Sequence, residues 1–325
     1  MTDKVRLGVV GAGALANRVH YPSLAAMPDV ELVAVCDLVE SKAASTAKAF
    51  GSAKGLGGAK TYTDYRAMLD SEKLDAAYVL MPPYHLFDVT MDVMERGLHV
   101  FIEKPPAVTT FQAEMLAEAA ARHKVLSMVG FNRRFIPLHR LVRERLERQG
   151  PITHCVSVFY KNSPDVGYYR GAIDYLHCDA IHAVDMLRWM GGEAESVASV
   201  THALGWTHEN GCHAVARFAS GATGVLMTDW VTGTRLHTFE MHGRGFSAFL
   251  NPDVEARVYD AQAPTGETIR TADAAGSDAF HIYYGFFGEN RHFIDCVKAG
   301  QQPETHFAEA AKSMRLVDQL YAAAI

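Results

Sequence analysis

Gly11, Gly13 and Ala16 stand in the order G-x-G-x-x-A directly behind the apolar run VRLGVV. That spacing suits the cradling of a pyrophosphate, though glycine-rich turns are common without a ligand. The first glycine allows a tight turn, the second lets a phosphate reach backbone N–H groups, and the third small residue lets a helix pack close to its strand. Gly11, Gly13, Ala14, Leu15 and Ala16 are therefore the expected cofactor-binding residues, with the pyrophosphate at the positive end of a helix dipole. A bare structural turn would explain the glycines alone. It would not explain Asp37, which ends the next apolar run, VELVAVCD, at the distance expected of an acid that accepts hydrogen bonds from both hydroxyls of an adenosine ribose. A carboxylate there repels a 2′-phosphate, and the LVESK that follows holds Lys42 but no arginine. NAD is expected ahead of NADP.

A second pair of chemically capable residues, Glu103 and Lys104, follows another apolar run in FIEKPP. Ligands of open α/β sheets bind beyond the carboxyl ends of the strands. A lysine at that edge can set its charge against a reacting hydroxyl or a developing alkoxide. Taken alone, the same lysine also reads as a surface residue in a turn. Pro105 stiffens the turn and permits a cis bond.

Such residues need a scaffold, and the first third of the chain supplies one by alternation. Short apolar runs, VRLGVV, VELVAVCD, LDAAYVLM, LHVFIEKP and KVLSMVGFN, read as buried parallel strands. Between them ALANRVHYPSLAAM, interrupted by Pro22, ESKAASTAKAF, FDVTMDVMERG and TTFQAEMLAEAAARH read as helices. The class is α/β: a doubly wound parallel sheet covered on both faces, with right-handed crossovers. Near Arg134 the pattern changes. After a helix at 138–148, ITHCVSVFY, SVASVTHALGW, GCHAVARFA, GATGVLMTDWV, TRLHTFEMHG and EARVYDA read as strands, with a helix at about 178–190 and two more at about 280–299 and 306–324. These predict a Rossmann domain over 1–125. The remainder, 126–325, is an α+β domain with a large, open, mainly antiparallel sheet. An exposed sheet face asks for cover, so a homo-oligomer, dimer or tetramer, formed through that sheet is expected.

Taken together, GVVGAGALA, Asp37, GLHVFIEKP, GFNRRFIP, DAIHAVDMLRWMGG and GENRHFIDCVKAGQQP resemble the Gfo/Idh/MocA oxidoreductase family over nearly the whole chain. The resemblance implies an NAD(P)-dependent dehydrogenase of sugars, polyols or their relatives, with Lys104 touching substrate. It implies His182 as a proton acceptor, with Asp179 as the partner acid that orients His182 or meets a neighbouring hydroxyl. On one helix these two would lie a turn apart. Many members hold the acid four residues before the histidine, where this chain has Cys178, so His177 competes with Asp179 for that role. In MPPYHLF, Pro82 and His85 are expected near the cofactor, although Pro83 replaces the usual asparagine and His85 is displaced. Glu103 and Lys104 are placed there too. Arg134, and Tyr169 and Arg170 within SPDVGYYRGAIDY, are the expected substrate contacts. HCDAIH also contains metal-donor types, but no metal is expected there. Hydrogen bonding of His182 to Asp185 is the plain structural alternative for that histidine.

Bulk properties narrow the field. A net charge of −6 without basic runs argues against nucleic acid. Five scattered cysteines without a C-x-x-C pair argue against a disulfide framework or zinc cluster. The first strand is expected to open the chain with no leader, no apolar run reaches bilayer length, and the expected location is the cytoplasm. Two other classes fit the same fold: a redox-neutral lyase or hydrolase that uses NAD, and a non-catalytic NAD- or sugar-binding regulator.

Overall fold

The structure is a computed structural model that describes residues 4–51, 58–163 and 167–325. Two compact units divide the chain. The first comprises residues 1–131 with 280–282 and 286–311, and the second comprises 132–279 with 283–285 and 312–325. The division thus falls after Phe131, not after residue 125, because the last parallel strand still pairs within the first sheet. The chain also returns late to the first unit, through the helix Phe286–Ala299.

In the first unit six strands, β1 (Val5–Val10), β2 (Val30–Cys36), β3 (Lys60–Tyr62), β4 (Ala76–Val79), β5 (His99–Glu103) and β6 (Ser127–Gly130), lie in the order β3-β2-β1-β4-β5-β6, all parallel. Helices cover both faces, so β4 and β6 are buried at every position and carry uninterrupted small or apolar residues. Reversal of strand order beside β1 puts a crevice at the carboxyl ends of β1 and β4, where the G-x-G-x-x-A loop begins. Pro22 does not break the helix behind that loop. Helical structure runs from 14 to 25, with a π turn over Ala16–His20 before Tyr21–Ala25. Proline lacks the N–H that closes a normal turn. The wider turn, in which the Tyr21 N–H reaches back to the Ala16 carbonyl, absorbs it.

The second unit holds eight strands: β7 (Ile152–Asn162), β8 (Ala194–His202), β9 (Gly211–Phe218), β10 (Thr223–Asp229), β11 (Val231–Gly243), β12 (Phe246–Asn251), β13 (Glu255–Tyr259) and β14 (Glu267–Arg270). They run in the order β14-β13-β12-β11-β7-β10-β9-β8 and pair antiparallel except for β7 with β10. Alternation decides the faces. On β9, Cys212, Ala214, Ala216 and Phe218 are buried while His213, Val215 and Arg217 are exposed. The buried face meets the helix Ile181–Gly191, which Ser157 on β7 fastens by donating to the Ala183 carbonyl at 2.9 Å. The helix expected at about 178–190 is in fact two, Tyr175–Cys178 and Ile181–Gly191. Asp174 caps the first by accepting from the His177 N–H, and Asp179 lies in the break.

Candidate active site

The glycine loop is tied down from several sides. Gly11 has φ +115°, and a Cβ there would stand 2.1 Å from the Leu80 carbonyl oxygen. Asp37 accepts from the Ala12 N–H through Oδ2 and from the Val39 N–H through Oδ1, both at 2.9 Å. Asn17, unremarked in the sequence reading, donates its amide to the Ala12 and Gly13 carbonyls at 2.9 and 3.0 Å, and Thr46 donates to its oxygen. The Tyr21 hydroxyl donates to the Gly11 carbonyl at 3.0 Å. Burial first, and Asp37 second, push that phenol well above its ordinary range, so it keeps its proton. Gly13 contrasts with Gly11, since a Cβ on it would meet nothing within 4 Å. A backbone bent around open space, beside a helix start and a carboxylate, fits the pyrophosphate and ribose of NAD. Gly11→Ala is expected to lose at least about 2 kcal/mol of stability from strain and collision and to weaken NAD binding at least tenfold. Thermal unfolding and cofactor titration read the two effects.

At the end of β4, Pro82 leads into the helix Pro83–Glu95 and accepts from the His85 N–H at 3.0 Å. The His85 ring is exposed and rests against Tyr84. At the end of β5, Glu103 is buried, and its carboxylate bonds inside the protein. Oε1 meets His20 Nε2 at 2.8 Å, and Oε2 accepts from the Lys104 N–H at 3.1 Å. Both side-chain atoms of Asn290 approach His20 Nδ1, the oxygen at 3.4 Å and the nitrogen nearer. The amide nitrogen lies 3.1 Å from Nδ1, and the closer contact with it fits a ring whose Nε2 hydrogen is given to Glu103. Glu103 thus ties His20 to the turn that carries Lys104. The Lys104–Pro105 peptide is cis. No motif marked His20; the π turn that aims it inward has no sequence signature beyond the following Tyr21–Pro22.

In the second unit His182 is buried at the second residue of Ile181–Gly191, its ring 6.4 Å from that of Phe159. Its N–H donates to the Asp179 carbonyl at 3.3 Å. Because Asp179 lies in the break between helices, the two do not share one helical face. The Asp179 carboxylate instead takes the Lys161 ammonium and the Tyr168 hydroxyl, the latter at 2.9 Å. Trp230 Nε1 donates to the Tyr168 oxygen at 2.8 Å. Burial, then Asp179, raises the Tyr168 phenol strongly, which keeps it a donor. Lys161 also lies 5.7 and 5.5 Å from the Phe159 and Trp230 ring centres. His237 stacks on Phe159, with Arg133 and Arg235 nitrogens 3.4 and 2.9 Å from its Nδ1. Burial, and then these guanidinium charges, push its pKa far down, so it stays neutral and accepts. Lys161, Tyr168, Trp230, Arg133 and His237 were not picked out from the sequence: strand alternation around Lys161 and His237 marks burial, not which buried residues are polar, and the other three lie on turns.

Several expectations change. Arg134 is buried and makes a two-pronged ion pair with Asp185, at 2.8 and 2.6 Å, so its guanidinium is not aimed at a substrate. Asp185 also accepts from Ser313 at 2.8 Å, so its carboxylate is engaged by residues other than His182. His177 bonds Asp174 at 2.7 Å and lies 3.2 Å from Asp318. Pro164, Asp165 and Val166 of the expected substrate loop lie outside the described residues. Tyr169 and Arg170, just beyond, both take left-handed backbone angles (φ 51° and 62°) and are exposed. Two such residues in succession are uncommon without glycine.

Residues 5–131 match the family model described as "Oxidoreductase family, NAD-binding Rossmann fold", and 140–248 match "GFO/IDH/MocA C-terminal domain". A putative oxidoreductase, YceM, of Salmonella typhimurium is 28% identical over 99% of this chain and 98% of its own. A myo-inositol 2-dehydrogenase of Thermotoga maritima is 27% identical over 92% and 90%. Among solved structures, a dehydrogenase from Chromobacterium violaceum superposes with a TM-score of 0.88 at 24% identity, covering 99% of this chain and 96% of that one. A levoglucosan dehydrogenase in complex with NADH superposes at 0.86 and 21%, covering 99% and 97%. At these identities the superpositions speak for the fold.

Proposed function

Because the chain belongs to the Gfo/Idh/MocA oxidoreductase family, we propose that it is an NAD-dependent dehydrogenase. Its reaction would be hydride transfer between nicotinamide and a secondary alcohol or ketone carbon of a sugar, polyol or sugar acid. The observation that carries the cofactor half is the Asp37 carboxylate, set against the Ala12 N–H at the mouth of an open glycine loop. When bound, NAD supplies the hydride acceptor; the protein supplies placement and charge.

Lys104, on a turn held by Glu103 and His20, is assigned to stabilise negative charge on the reacting oxygen. His182 is assigned to take that oxygen's proton, since an imidazole can accept and return one. Asp179, already bonded by Lys161 and Tyr168, is assigned to a neighbouring substrate hydroxyl. A carboxylate with two donors in place can accept one more hydrogen bond and fix the sugar's rotation. The relatives' printed substrates, inositol and levoglucosan among them, support a polyhydroxylated ring. On the part of the open sheet away from β8–β10, the exposed Phe249 of β12 supports pairing of two copies there, which light scattering would read as twice the chain mass.

NADH formation followed across polyols, aldoses and sugar acids tests the reading. Turnover with NAD on one of these classes, at least tenfold faster than with NADP, is expected. Tight NAD binding without net NADH release on any of them would overturn it in favour of a redox-neutral enzyme or a sensor.

A further inference from the structure

On the exposed face of the second unit's sheet, three adjacent strands bring two histidines and a carboxylate together. In the register, His202 on β8 and Asp229 on β10 lie opposite Gly211 of β9, one on each side, and His213 is the next residue of β9 on the same face. One ligand atom from each lies within 4.8 Å of the other two.

We propose that His202, His213 and Asp229 form a binding site for a divalent transition ion of the zinc class. Two imidazole nitrogens and one carboxylate oxygen are donors that suit zinc, and three protein ligands leave a position open to water or to an incoming group.

The surroundings prepare the ligands. Asn210, fully buried, donates its amide nitrogen to the Leu204 carbonyl at 2.8 Å, which turns its oxygen toward His202 Nδ1 at 3.1 Å. That oxygen can only accept, so Nδ1 carries the ring hydrogen and Nε2 presents a lone pair. A ligating histidine whose other nitrogen donates to a fixed acceptor is the usual arrangement around bound metals. Asp229 is likewise set, since Oδ1 accepts from the Val231 N–H at 2.8 Å, and Oδ2 faces His202 Nε2 at 3.8 Å. At 3.8 Å the two do not hydrogen-bond. Ligands about 2.0–2.2 Å from a tetrahedral ion stand roughly 3.4 Å apart, so a small rotation of the side chains closes the set. Gly211 makes the approach possible, because a Cβ there would meet the His202 ring at 1.9 Å. The ring lies across the middle strand only where that strand lacks a side chain.

Calorimetric titration of the untagged full chain with zinc chloride, and of cobalt chloride by visible absorption, tests this. One ion per chain is expected, with the cobalt spectrum of nitrogen–oxygen coordination. His213→Ala, at an exposed position, and Asp229→Asn, which keeps the acceptor for the Val231 N–H, are each expected to weaken binding at least tenfold while circular dichroism stays unchanged. Gly211→Ala is expected to do the same by displacing the His202 ring. Zinc binding of equal strength in His213→Ala and Asp229→Asn, or none in the unaltered chain, would overturn the site. The readout is metal binding itself, so failure here leaves the dehydrogenase reading untouched.

Discussion

Lys104→Ala is expected to lower kcat by about 10²–10³-fold while the Kd for NAD changes by less than about threefold. Loss of one preorganised group that stabilises developing charge on an oxygen costs roughly 2.7–4 kcal/mol of barrier, and that sets the scale. The split between the two constants follows from where the side chain's work is assigned. Cofactor contacts are assigned chiefly to the glycine loop and Asp37, whereas the Lys104 ammonium is assigned to the reacting oxygen. Glu103 and His20 hold the turn through the Lys104 backbone N–H, which alanine retains, so the substitution removes the charge and keeps the backbone in place. Single-turnover rates with NAD, beside fluorescence titration of the cofactor, separate the two quantities. Turnover within threefold of the unaltered chain would remove Lys104 from the chemistry. A loss of NAD binding in step with kcat would make it a cofactor residue instead.

The parallel sheet was legible because its information is local. Apolar strands of four to seven residues alternate with helices, and the G-x-G-x-x-A spacing with Asp37 belongs to one short stretch. β3 was missed for the converse reason: three residues, none of them buried, carry no apolar signal. β12 was missed because only the Arg244–Gly245 turn separates it from β11, and β14 because its four residues are largely exposed. The candidate site was legible where one residue type in one motif does the work, as at Lys104 and His182. It was not legible where partners come from distant strands. Lys161 and Trp230 reach Asp179 from 18 and 51 positions away, the second through Tyr168. The break at Asp179–Ala180 was hidden too, since an alanine there reads as helix.

Arg134→Ala is expected to destabilise the second unit by about 3–5 kcal/mol, because it leaves the Asp185 charge buried with Ser313 and without its ion-pair partner. At roughly 2–4 °C per kcal/mol for a unit of this size, the unfolding midpoint should fall by about 10 °C. A substrate-contacting arginine would behave otherwise. Its loss would raise KM and leave the midpoint nearly fixed, as with exposed side chains in general. The geometry favours the first outcome: both groups are buried, both carboxylate oxygens are engaged, and the pair ties the turn Asn132–Phe135 to the helix that carries His182. The double variant Arg134→Met with Asp185→Leu sharpens the test. Buried ion pairs are often matched by apolar pairs of similar volume, so it should regain most of the midpoint lost by the single change. If it also regains turnover, the pair holds the helix and nothing more. If stability returns and kcat does not, the charge of the pair itself bears on His182, and the proton-accepting role assigned to that histidine gains an electrostatic partner.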